Sequence, residues 1–160
     1  MAGQREDYLL RELSILRHLV ARLLGRSDPA GIEEALQLSF HLQEKLFAMP
    51  PADFLRLPVS EQIKALSAKE SAVAGRDKCL TYAGLLRETA TIYQVHGRDD
   101  LAAGARQLAL DVALHVALDG DAGAAQAGPT VEQLAAALDP EQLHEPVRAM
   151  LAEYRARQPS

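Results

Sequence analysis

The stretch LALDVALHVAL, Leu108 to Leu118, carries only two polar side chains, Asp111 and His115. At 3.6 residues per turn they stand one turn apart, in line with Asp100, Gly104 and Gln107, while the rest of that surface is Ala, Leu and Val. A helix this apolar has to be covered on most sides. The expectation that follows is an all-α chain in which this segment is the hub against which other helices pack.

Composition points the same way. Leu (26) and Ala (28) far outnumber Val, Ile and Thr together (16), a balance that favours helix over strand. At 160 residues the chain fits one domain, residues 1–160, and can bury roughly 70% of the surface its unfolded form exposes, so no disulfide or metal is required for stability. With three Phe, four Tyr and no Trp, the core is expected to be aliphatic, and stacking platforms for bases are not expected.

A formal charge of -5 argues against a dedicated nucleic-acid binder, whose surface would be basic. Thirteen Arg against four Lys, with no Asn, fits a genomic base-composition bias better than phosphate recognition. The single cysteine, Cys79, excludes an internal disulfide and a zinc site built on several thiolates, and suits a reducing, cytoplasmic setting. The opening MAGQREDYLLREL is too charged for a signal peptide, and no stretch is expected to approach the ~20 apolar residues that cross a bilayer.

Leu9, Leu10, Leu13, Leu16, Leu19, Val20, Leu23 and Leu24 form a broad helical face, with Arg11, His18 and Arg22 opposite, which predicts a first helix from about Glu6 to Leu24. Gly25 stops it. Asp28-Pro29 opens a second helix to about Ala48, Met49-Pro50-Pro51 breaks the chain, and Pro58 opens the next helix. The Gly75-Arg76-Asp77 step allows a break or bend, followed by a helix from about Lys78 to Val95, a turn at His96-Gly97-Arg98-Asp99, and a helix from about Asp100 to Leu118. Residues 119–129 are expected to be a flexible connector. Thr130 with Gln133 fits a capping box for a short helix, and Pro146 predicts a last helix from near Glu145 to about Arg157.

Within the strong hairpin, Leu86, Ala90, Tyr93, Gly97, Ala102, Ala109 and Leu110 stand at the spacings of a tetratricopeptide repeat, a 34-residue helix-turn-helix unit, and this segment resembles that family. Small Ala90 and Ala102 let two helices approach closely, and Gly97 makes the turn. Thr89, Asp99 and Arg106 depart from the pattern, as does Leu114 in place of the closing Pro. The opening Asp7 to Leu13, the Leu-rich helix and Phe54-Leu55-Arg56-Leu57 also resemble a family of uncharacterised bacterial all-helical proteins, a likeness that implies no activity. The tetratricopeptide resemblance implies an array of antiparallel hairpins with short C-terminal helices, and a partner-facing groove at Gly84, Arg87, Thr91, Gln94 and Val95.

Chemistry is sparse. Asp111 and His115 make an acid-oriented imidazole, but a catalytic zinc needs about three protein ligands and no further histidine accompanies them in sequence. Glu141-x-x-His144 has the spacing of a di-iron helical pair without the second copy that site needs, and Asp119-Gly120-Asp121 lacks the Gly and Glu of a calcium loop. No phosphate loop or nucleophile elbow occurs among the ten glycines. Cys79 is expected to be a buried apolar filler.

The expected function is therefore a non-enzymatic protein-interaction or self-association module without cofactor or metal, contacting its partner through Arg87, Thr91 and Gln94. A homodimer is expected if the apolar surfaces of the first helix and of residues 109–118 exceed what one chain covers. The alternative is a regulatory domain binding a small molecule or metal between helices, with Tyr93, Asp111, His115 and Arg87 as the polar groups.

Overall fold

A computed structural model describes residues 2–26, 28–119 and 129–158, with side chains from Tyr8 onward. Eight α-helices follow one another: α1 (Ala2–Gly25), α2 (Pro29–Phe47), α3 (Pro51–Arg56), α4 (Val59–Ser67), α5 (Ala72–Val95), α6 (Asp99–Leu118), α7 (Val131–Ala136) and α8 (Glu145–Arg157), with a 3-10 turn at Pro140–Gln142. No strand occurs among the described residues. Most of the expected connector, residues 120–128, lies outside the described residues.

Local signals place the helix starts. Asp28 caps α2, its carboxylate accepting from the Gly31 N–H at 2.7 Å, with Pro29 in the first turn. Thr130 and Gln133 form the expected capping box on α7, at 3.1 and 2.9 Å. Gly97, at φ 81°, supplies the left-handed turn that reverses the chain from α5 into α6. Pro146 sits in the first turn of α8, where its missing N–H costs nothing.

One boundary differs from the sequence expectation. There is no break at Gly75: α5 begins at Ala72, where the Ser71 hydroxyl accepts from the Ala74 N–H at 3.1 Å, and runs unbroken to Val95. The break falls earlier, at Ala68–Ser71, where Lys69 takes φ 65°. Gly75 is there for proximity, since a Cβ on it would lie 3.1 Å from Cβ and Oγ of Ser67 and 3.3 Å from its Cα, at the α4–α5 contact.

α5 and α6 pack as an antiparallel hairpin; α5 also rests on α1, α2 and α4, while α6 carries α4, α7 and α8. The small residues expected at this contact are buried, Ala90 at 0% and Ala102 at 1% exposure. The hub is covered: Ala109, Leu110, Val112, Ala113 and Leu114 are buried, and Leu108, Val116 and Ala117 pack on the core. α6 is nevertheless long and apolar enough, by length and composition, to cross a bilayer, contrary to the expectation that no stretch would be. Its two interior charged residues, Arg106 and Asp111, are too few to break the apolar run.

Three rings form the one aromatic corner of the core. Phe47 and Phe54 stack at 3.8 Å between centroids, and Tyr82 meets both edge-on at 5.3 and 5.5 Å. The Tyr82 hydroxyl donates to Gln62 Oε1 at 2.8 Å, and Gln62 Nε2 donates to the Leu57 carbonyl at 3.0 Å, so the polar atoms buried with the rings are satisfied.

A second buried polar chain joins α2 to α5. Ser39 and Thr89 share a 2.6 Å hydrogen bond, Thr89 Oγ1 donates to the Leu85 carbonyl at 2.7 Å, and Gln43 Nε2 donates to Ser39 Oγ at 3.2 Å. Thr89, a departure from the repeat pattern, is thus the residue that fixes the register of these two helices.

Candidate functional site

The α5 positions expected to line a groove have three different fates. Gly84 is buried, and a Cβ there would touch Arg17, Pro129 and Leu13 at 3.4, 3.6 and 3.8 Å, so α1 and the start of α7 occupy the space the groove would have used. That expectation is corrected: the inner end of the groove is filled by the chain's own first helix. Arg87 is exposed, Thr91 is half-buried with its hydroxyl donating back to the Arg87 carbonyl, and Val95 packs on the core. Gln94 is exposed but tied to Arg106 of α6 through its side-chain oxygen.

Glu88, one residue past Arg87, is half-buried. Burial pushes its carboxyl up from the ordinary range, with the guanidiniums of Arg17 and Arg87 opposing. Arg87 is therefore engaged with its neighbour's charge as well as with solvent.

The polar line on α6 faces the C-terminal segment. Gln107 Oε1 accepts from the His144 N–H at 2.5 Å, just before α8 begins, and His115 Nδ1 lies 2.9 Å from the Asp111 carbonyl and 3.0 Å from its Oδ1. Asp111 Oδ1 is buried, and the imidazole nitrogen beside it faces both that oxygen and the Asp111 carbonyl, so its contact with the carboxylate is electrostatic first and hydrogen-bonding second. Burial raises the Asp111 carboxyl, and His115 and His144 pull it back in part.

Tyr93 is not brought to this pair. It sits in the last turn of α5 near Arg98, with burial raising its hydroxyl and Arg98 opposing, whereas Asp111 and His115 look toward His144. Among the described residues, no group of three or more His, Cys, Asp or Glu side chains is arranged to hold a metal. Cys79 is 1% exposed beside Ser67 Oγ at 3.8 Å, and burial raises its thiol.

Among the described residues, four of the eight large apolar side chains left exposed lie on α1; Phe40, Leu55, Val73 and Leu101 are spread one each over α2, α3, α5 and α6. The buried stripe of α1 is Leu9, Leu13, Leu16, Val20 and Leu23, and both flanks stay apolar in water: Tyr8 and Ile15 on one, Leu10 and Leu24 on the other, between 40% and 67% exposed. Tyr8 Oη approaches His41 Nε2 of α2 at 3.4 Å, which places the Tyr8 flank on the α2 side. Near the far end of that seam a cleft of about 440 Å³ is lined by Leu19, Arg22, Leu23, Arg26, Asp28, Gly31 and Glu34, among others. The sequence showed a broad apolar face on this helix. Which part of it stays uncovered depends on where α2 and α5 land, and no local pattern encodes that.

Comparison with known protein families, with curated proteins and with solved structures found no match.

Proposed function

We propose that this chain is a non-enzymatic docking module whose working surface is formed by the exposed apolar side chains on the two flanks of α1. The observation that carries the reading is the width of the apolar arc on α1, which exceeds what α2 and α5 cover and leaves Tyr8, Leu10, Ile15 and Leu24 exposed. The hub segment leaves less, because Ala109, Leu110, Val112, Ala113 and Leu114 are buried within the chain and the exposed apolar side chain of α6, Leu101, stands alone near the start of the helix. Polar chemistry is mostly spent internally, in the Ser39–Thr89 and Gln62–Tyr82 links and in the contact of α6 with His144.

The packing order supports a tetratricopeptide-like reading of the first and second hairpins. α5 rests on both α1 and α2, as the first helix of a following unit does when repeats stack. The α3–α4 insertion departs from a regular array, and the filled position at Gly84 moves docking from the inner groove to the outer face of α1.

Affinity capture from extracts of the source cell, comparing wild type with a Leu10→Lys, Ile15→Lys double variant, tests the reading. Retention of a polypeptide, the chain itself included, by wild type and its loss from the variant are expected. Equal retention by both would overturn it.

A further inference from the structure

We propose that the polypeptide docking on the Tyr8–Ile15 flank is a second copy of the chain, with α1 lying antiparallel to α1 of the copy about a two-fold axis at Ile15. The inference rests on the docking reading above and names its partner. It follows from where the exposed side chains stand along one flank. Tyr8, Arg11, Glu12, Ile15, His18, Leu19 and Arg22 recur at heptad spacing, and each is exposed or half-exposed.

The spacing is symmetric about Ile15. Tyr8 and Arg22 each lie seven residues from it, about 10.5 Å along the axis in opposite directions, and Glu12 and His18 each lie three residues away. An antiparallel pairing therefore sets Ile15 on Ile15, the Tyr8 ring against the Arg22 guanidinium of the second copy, Glu12 against His18 of the second copy, and the aliphatic stem of Arg11 along Leu19 of the second copy, its guanidinium reaching past to water. Each polar pairing occurs twice, as an isologous interface requires.

A parallel pairing sets Glu12 on Glu12 and Arg22 on Arg22 and is repelled. The charge order along the helix thus selects one orientation. Tyr8 can keep its hydroxyl toward His41 while its ring face meets the guanidinium, a cation–π contact. Ile15, 45% exposed in the single chain, becomes the central apolar contact of the pair.

Light scattering of the full chain at high micromolar concentration should give twice the chain mass. Ile15→Lys should raise the dissociation constant on the order of 100-fold or more, since it strikes a central contact from both sides, with helical circular dichroism unchanged. Under mild oxidation Ile15→Cys should cross-link to itself. A Tyr8→Cys and Arg22→Cys mixture should cross-link between the two variants, with neither cross-linking alone. A monomeric wild type overturns self-pairing and leaves the docking reading to the capture experiment. A dimer indifferent to Ile15→Lys overturns this surface as the interface, and self-cross-linking of Arg22→Cys overturns the antiparallel order.

Discussion

His115 Nδ1 stands 3.0 Å from the buried Asp111 Oδ1 and 2.9 Å from the Asp111 carbonyl, one imidazole nitrogen shared between two oxygens. The carboxylate is half-buried, and the two histidines near it offset its desolvation only in part. Such an arrangement is costly at neutral pH, and its sign can be measured.

Burial raises the Asp111 carboxyl above its ordinary value of 3.8. The folded chain then holds this proton more tightly than the unfolded chain, so stability falls as pH rises from 3.8 through the raised folded value. Asp111→Asn is expected to be more stable than wild type near pH 7 by up to about 1 kcal/mol, because the amide keeps the shape of the side chain and carries no charge to desolvate. The difference should close in acid, where wild-type Asp111 is itself neutral. Thermal melts of both proteins between neutral pH and about pH 4 check this, and a wild type more stable at neutral pH would contradict it.

Thr89→Val removes the acceptor for the Ser39 hydroxyl at the α2–α5 contact. A loss of about 1–2 kcal/mol in urea unfolding is expected, because a donor is left buried without its partner. Adding Ser39→Ala should cost less than the sum of the single changes, since both ends of the bond are then gone. Strict additivity would show that the two hydroxyls are not coupled.

Phe54 is fully buried between Phe47 and Tyr82. Phe54→Ala is expected to cost about 3–5 kcal/mol, the range for an aromatic truncated in a packed core. A change under 1 kcal/mol by chemical denaturation would mean that α3 contributes little to the fold.

Two helical glycines should respond in opposite directions to alanine. At Gly104 nothing lies within 4 Å of an added Cβ, so Gly104→Ala should stabilise by about 0.5–1 kcal/mol through helix propensity alone. At Gly75 the added carbon meets Ser67 side chain and backbone at 3.1 to 3.3 Å, so Gly75→Ala should destabilise by pushing α4 from α5. Equal melting shifts for the two variants would refute the close α4–α5 approach.

What was legible in the sequence was local. The 3.6-residue period gave α1, Pro and capping residues gave the starts of α2, α7 and α8, and the small pair Ala90 and Ala102 gave the hairpin contact. What was not legible depended on residues far apart in the chain. Gly75 looked like a helix stop because glycine usually ends helices, and only the presence of Ser67 opposite it gives it a different job. Thr89 looked like a mismatch because its partner, Ser39, is 50 residues away.

The site followed the same division. Asp111 and His115 were visible as a pair, but their link to His144 runs across the connector and appears in no motif. Arg87, Thr91 and Gln94 share one face of α5 by helical period alone. Whether that face opened into a groove was decided by α1, which packs over Gly84.

The stacking of Phe47 and Phe54 under Tyr82 has an optical consequence. Without tryptophan, and with Tyr8, Tyr93 and Tyr154 at least partly in solvent, Tyr82 is the one tyrosine locked in a rigid asymmetric setting. The near-ultraviolet dichroism of the chain is therefore a built-in gauge of the junction between α2, α3 and α5. Its fading ahead of the far-ultraviolet helical signal would register that this corner loosens first.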